Sequence, residues 1–349
     1  MTKKRIVTLD IIKFICSILI VFHHFQQITG AVFESINFKG GKFSFAYVVE
    51  LFFMISGFFC AYTYKDEESF TSYFLRKIKR YYPMAILSII VIVFIEGINY
   101  LLFGTPIKTD GLGIWTIFSS LTLIFPQGIT VLEGLGINNP LWYLGVLNLC
   151  YILFYFLNKK INEDKILKYI LVVFLMLGFR THEINIPFFT PMTIRGYIPF
   201  FIGIVLCYAY TNNEKIVSSN KTLIAMIVFL LLILFLFKFN YYVFCDNMYG
   251  ILCFIIYPIL LLIMLSLDRH IKFNKLFDIL GKMSFEVYIW HFPIINILIT
   301  LQRLSLVEYK YSYVYMFLFS FFVIVVAFFN VLFVEKRINR LFRIDRNLN

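Results

Sequence analysis

Charge is what this chain has least of. Only 15% of its 349 residues are Asp, Glu, Lys or Arg, against 60% hydrophobic and 20% aromatic, and the mean hydropathy is +0.83. A soluble globular domain is about one quarter charged, so that class is excluded. Long polar segments are missing as well: the longest stretch outside the apolar runs, 104–139, leaves no room for a soluble domain of useful size. The six cysteines (Cys16, Cys60, Cys150, Cys207, Cys245 and Cys253) form no CxxC pair and have no partnered histidine spacing. They read as small buried hydrophobes, with neither a disulfide framework nor a metal site. No internal duplication is visible, and no Ala-x-Ala-like site follows the first apolar run, which is therefore read as an uncleaved span.

What is present is a series of apolar runs, each near the length of about 17–25 residues that crosses a bilayer as a helix. They fall at 11–29, 44–63, 83–103, 140–157, 166–180, 192–210, 221–238, 248–267, 284–302 and 311–334. The predicted fold is all-α: a polytopic transmembrane bundle of about ten spans, forming one domain over 1–349. Ile114–Pro126, with only 13 residues, is too short to cross and reads as re-entrant or interfacial. Around it, Pro106, Gly111, Gly113, Pro126, Gly128, Gly134, Gly136 and Pro140 make 104–139 an irregular outer-face loop. The net charge of +12 does not indicate nucleic acid, because every basic cluster (3–5, 76–80, 159–168, 269–282 and 336–346) borders an apolar run. That is the positive-inside pattern, with both termini cytoplasmic and 335–349 as a basic cytoplasmic tail.

Ionisable residues nevertheless sit within or beside the spans: Lys13, His23, His24, Glu50, Glu96, Arg195, Glu286 and His291. Each is costly in hydrocarbon unless it faces protein or water, so together they predict a polar cavity inside the bundle. Lys13 and His24 are eleven residues apart, which on a helix leaves them within about 20° of one face and roughly 16 Å apart along the axis. The first span thus carries a polar stripe from a cation to an imidazole. In "FLRKIKRYYP" (74–83), Arg76 and Arg80 lie one turn apart and form a candidate phosphate clamp. In "VVELFFMISGFF" (48–59), Glu50 is a candidate partner for the Nδ1 proton of His24, fixing its tautomer. In "SFEVYIWHFP" (284–293), Ser284 and His291 share a face, about 20° apart.

These blocks, in this order, resemble the acyltransferase-3 family of integral membrane acyltransferases, many of which O-acetylate bacterial surface carbohydrates. Leu9, Asp10, Lys13 and His24 fit its opening block, with lysine in place of arginine. "ELFFMISGFF", "FLRKIKRYYP", "RGYIPFFIG" (195–203) and "SFEVYIWHFP" are similar to its later blocks. "PLWYLGVLNLCYILFYF" (140–156), which holds Trp142, matches a block whose glutamate is replaced here by Leu147. The resemblance implies acetyl-CoA as a cytoplasmic donor, without a metal, and a surface or lipid-linked carbohydrate as acceptor, in a multi-pass protein of the bacterial cytoplasmic membrane. It implies catalysis at His24 with Glu50, donor phosphates held by Lys13, Arg76 and Arg80, and the acceptor bound near Arg195, Trp142, Ser284 and His291. The competing class is a transporter or flippase for a glycan, in which the same charges would line a pathway.

Overall fold

The computed structural model describes residues 5–29, 45–107, 114–123, 136–160, 166–239, 247–274, 277, 279–308 and 312–341. The readings made above for Lys3 and Lys4, for Cys245, for 108–113 and 124–135 of the loop, and for 342–349 of the tail fall outside them. The described elements are helical, and the one β contact among them is an isolated bridge between Ile186 and Phe189. In chain order the helices are α1 (Val7–Thr29), α2 (Val48–Tyr62), α3 (Phe70–Ile78), α4 (Tyr82–Phe103), α5 (Ile114–Thr122), α6 (Trp142–Lys160), α7 (Leu167–Thr181), α8 (Pro191–Asn212), α9 (Asn220–Phe239), α10 (Met248–His270), α11 (Leu280–Arg303) and α12 (Tyr313–Ile338). Eight of these are long and apolar enough to span a membrane. α7 and α9, which do not reach that measure, occupy the positions of the other two expected spans.

Local chemistry sets the helix ends. Thr190 opens α8 with a reciprocal capping box to Thr193, followed by Pro191, whose missing N–H costs nothing at a first turn. Gly104 ends α4 at φ +70°, its N–H bonded to the carbonyl of Tyr100. That left-handed turn suits glycine, because a Cβ would crowd the following carbonyl. The outer surface is apolar: Phe94, Leu101, Phe174, Phe235, Phe321 and Phe333 are all exposed, which only a lipid surround makes favourable.

The centre is closed by small residues. Among the described residues, the α2–α8 pair is the most extensive packing. Gly57 of α2 lies against the Phe200 carbonyl, and Gly203 of α8 lies against the Met54 carbonyl, so each backbone fills the space a Cβ would need. α11 packs on α1, α4 and α12, giving it a central place.

Four of the basic regions meet at one end of the bundle. The start of α1 touches the end of α10 at Asp268, Asp10 touches Gly281, Tyr155 bonds the Glu68 carbonyl, and Lys168 bonds Asn158. This is called the basic end below. α5 does not cross. Asn148, in the middle of α6, bonds the carbonyl of Leu123 just past the end of α5, and the Tyr82 hydroxyl donates to the carbonyl of Leu121. The short helix therefore dips into the bundle from the opposite end, where both α4 ends and α6 begins.

Candidate active site

The first span is locked in rotation at its base. Asp268 Oδ1 accepts from the backbone N–H groups of Val7 and Thr8 at 2.7 and 3.2 Å, capping α1 with a residue from α10. Thr8 Oγ1 donates to the Met264 carbonyl at 2.6 Å. Asp10 then sits between Arg5 and Lys13, at 2.6 Å from each. Its carboxylate presses on Gly281, where any larger side chain would displace it. With the base so held, the direction of every later side chain on α1 follows from the helical repeat.

About one and a half turns short of its far end, α1 meets α11 through a histidine pair. The rings of His24 and His291 stack, with centroids 5.1 Å apart and planes 25° from parallel, and His23 adds an edge contact to His24 at 5.2 Å. His24 is half-buried, while His291 is fully buried. Nδ1 of His291 lies 3.2 Å from the Val287 carbonyl, and Nδ1 of His24 lies 2.8 Å from Gln27 Oε1. Both oxygens can only accept, so Nδ1 is the protonated nitrogen that each ring turns toward them. Nε2 of His291 has no hydrogen-bond partner among the described residues. Tyr288 packs edge-on to His291 at 6.2 Å and to Tyr143 at 5.7 Å, and the Tyr143 hydroxyl bonds Ser56 at 2.9 Å. This polar and aromatic line runs from the imidazoles toward the basic end.

At the basic end, the expected two-arginine clamp takes a different form. Arg76 makes a fork on Glu68, with Nε to Oε1 at 3.0 Å and Nη2 to Oε2 at 2.6 Å. These bonds hold the Glu68 carboxyl below its ordinary value. Arg76 is thereby committed to a carboxylate. The cation turned inward is Lys77. It has no carboxylate partner among the described residues: its Nζ lies 3.4 Å from Thr63 Oγ1, over the rings of Tyr151 at 5.2 Å and Tyr73 at 5.8 Å. Burial pushes its ammonium below the ordinary lysine value, and Arg76 and Arg80 push in the same direction. Arg80 is exposed and acts electrostatically on both Lys77 and Lys13. Lys13 Nζ, besides its bond to Asp10, sits 5.9 Å over the ring of Phe59.

Glu50 is not the partner of His24. Its carboxylate, fully buried, pairs with Arg195 of α8, which also donates to the Ala46 carbonyl. The Arg195 guanidinium lies between the rings of Tyr47, at 5.1 Å, and Trp142, at 5.2 Å. The reason is directional: Glu50 and Arg195 both lie in the first turns of neighbouring helices that start at the same end, whereas Gln27 is one turn along from His24 itself. Glu50, Arg195 and Trp142 thus form one cluster at the end opposite the basic one. Ser284 is also set apart from His291. Its hydroxyl donates to the Gly281 carbonyl at 3.0 Å, beside Asp10 at the foot of α11.

Residues 6–333 match the model of the acyltransferase-3 family, described as an acyltransferase domain. The chain belongs to that family. No curated protein and no solved structure matches it.

This membrane acyltransferase therefore holds its sequence-predicted residues in three groups: Lys13, Arg76, Arg80 and Ser284 at the basic end, His24 and His291 within the bundle, and Glu50, Arg195 and Trp142 at the far end. The transporter reading gains no support from family membership. Lys77 and Gln27 were missed by the sequence reading. For Lys77 a signal existed: Tyr73, buried without exposure, is four residues before it, so Lys77 is on the inward face of α3. Two flanking arginines drew attention away from it.

Proposed function

We propose that this membrane acyltransferase transfers an acetyl group from cytoplasmic acetyl-CoA to a hydroxyl of a surface or lipid-linked carbohydrate, in the cytoplasmic membrane of a bacterium. The observation that carries the reading is the stacked His24–His291 pair. An imidazole inside a membrane bundle, held through Nδ1 by Gln27 and stacked on a second imidazole, is a general base positioned for an acyl acceptor.

The basic end supplies the complementary feature. Lys13, Lys77 and Arg80 gather there, and the carboxylates beside them are already engaged: Asp10 by Arg5 and Lys13, and Glu68 by Arg76. A buried ammonium without a counter-ion is unfavourable on its own and favourable once an anion arrives. The phosphates of the donor are such an anion, and its pantetheine arm covers the roughly 16 Å from Lys13 to His24 along the α1 stripe. In this reading the basic end faces the cytoplasm, where the donor is made.

The chemistry follows from the tautomers. His24 Nε2 takes the proton of the acceptor hydroxyl as its oxygen attacks the thioester carbonyl. The tetrahedral intermediate collapses, the carbon–sulfur bond breaks, and the imidazolium returns the proton to the departing thiolate. The neutral ring of His291, stacked at 5.1 Å, offers its π face to the transient imidazolium without adding a second charge. Purified protein should hydrolyse acetyl-CoA slowly when no acceptor is present. His24→Ala should lower that rate by about 10²–10⁴-fold. Equal rates for the two proteins would overturn the assignment.

A further inference from the structure

At the far end of the bundle, the α4–α11 interface holds a polar ladder that the mechanism above does not use. Asn99 Nδ2 donates to Thr300 Oγ1 at 2.7 Å, and Arg303 Nη1 donates to Asn99 Oδ1 at 3.3 Å. One turn deeper on α4 is Glu96, and one turn deeper on α11 is Asn296, 1% and 2% exposed. The two helices run in the same direction, so both residues lie one turn below the Asn99–Thr300 contact. Glu96 Oε2 accepts from the Ile107 N–H at 2.7 Å. Its other oxygen, Oε1, has no hydrogen-bond partner among the described residues, and neither has Asn296 Nδ2.

A carboxylate oxygen and an amide N–H left unpaired at one level of a helix interface are a vacancy in hydrogen bonding, and each unpaired group is costly inside a membrane span. A cation is a poor complement, because the amide N–H groups and the Arg303 guanidinium repel it. A hydroxyl is the matching group: it donates to Glu96 Oε1 and accepts from Asn296 Nδ2. We infer that this interface is a subsite for a polyhydroxylated ligand, a sugar ring of the acceptor, seated through one hydroxyl between Glu96 and Asn296. The inference rests on the acyltransferase reading for the fate of that sugar, though not for its binding. Asn296 lies five residues beyond His291, about 7.5 Å along α11 and about 140° round it, so the seat is on another face of α11 from the imidazole.

The subsite has a cover. After the left-handed turn at Gly104, the backbone folds back, and Arg303 holds it by donating to the carbonyls of Thr105 and Pro106 at 3.1 and 3.2 Å. Together with the Ile107 bond to Glu96, these contacts close the seat in this structure.

The test uses the purified full chain and the Glu96→Gln variant, which keeps an acceptor for Ile107 and presents a donor, in place of an acceptor, to the seat. Thermal unfolding is followed with glucose, galactose and N-acetylglucosamine as probes, and acetyl-CoA hydrolysis is measured without acceptor. At least one sugar should raise the unfolding temperature of the wild type and none should raise that of Glu96→Gln, while hydrolysis stays within twofold. No shift with any sugar, or the same shift in both proteins, would overturn the subsite in favour of a buried water. A large drop in the variant's own unfolding temperature would call for Asn296→Leu, which must show the same loss of sugar response for the proposal to stand. A sugar response without any acetyl-CoA hydrolysis would leave the subsite intact and remove the function proposed above.

Discussion

Replacing Lys77 by methionine should move stability and donor binding in opposite directions. Methionine keeps the length and the apolar stem against Tyr73 and Tyr151 and removes the charge. In this structure Lys77 is a half-buried ammonium with Arg76 and Arg80 acting against it, Glu68 and Cys60 acting for it, and one long hydrogen bond of 3.4 Å to Thr63. Removing such a charge in favour of an apolar group of similar size stabilises by about 1–4 kcal/mol in comparable sites. With donor bound, the same ammonium faces phosphate. At an effective dielectric of about 20, one such contact at 4 Å is worth roughly 4 kcal/mol before desolvation. The exposed Arg80 nearby indicates water access, so about 2–3 kcal/mol is a reasonable net loss, equivalent to roughly 30–150-fold in affinity. The assay is thermal unfolding of the purified protein beside KM for acetyl-CoA in the hydrolysis reaction. Lys77→Met should unfold a few degrees higher and show a KM raised by that factor, with kcat little changed. A lower unfolding temperature with an unaltered KM would mean that Lys77 is a structural tie, and the phosphate reading of the basic end would be refuted.

Other outcomes follow from the same geometry. The KM for donor should rise as pH climbs through the depressed Lys77 value, below the ordinary 10.5, because the protonated amine is the form that binds phosphate; Lys77→Arg should carry the low KM to higher pH, and a pH-independent KM would contradict this. Glu50→Gln leaves the Arg195 guanidinium buried without its counter-ion and should cost about 3–5 kcal/mol of stability, seen in thermal unfolding, while the pH midpoint of turnover stays put because Glu50 does not touch His24. Gly57→Ala drives a methyl into the Phe200 carbonyl and should cost at least about 1–3 kcal/mol, lowering the yield of folded protein. Gly97→Ala, with nothing within 4 Å of its Cβ, should be neutral or stabilising.

The helices were legible because hydrocarbon imposes length and apolarity on any segment that crosses it, and those are local properties of the chain. The short segment after Gly104 was legible for the same reason, since nine helical residues cannot cover the hydrocarbon. The face shared by Lys13 and His24 was legible because both lie on one helix. What each of them touches was not. His24 finds His291 from α11, and Glu50 finds Arg195 across 145 residues; helical periodicity carries no information about which helix stands opposite. The nearest carboxylate in motif order looked like the partner of the imidazole, and a glutamine one turn away on the same helix holds it instead. The buried end of α3 was hidden for another reason: a run of basic residues looks uniform until the pattern of its aromatic neighbours shows which side faces in.

The dip of α5 also has a topological consequence. A segment that enters and leaves by the same side does not change the count of crossings, so every helix after it keeps its direction. Lengthening its apolar stretch until it could pass through would turn α6 to α12 upside down, and would separate the two histidines by placing their helices head to tail. The approach of α1 and α11 thus depends on one element staying too short.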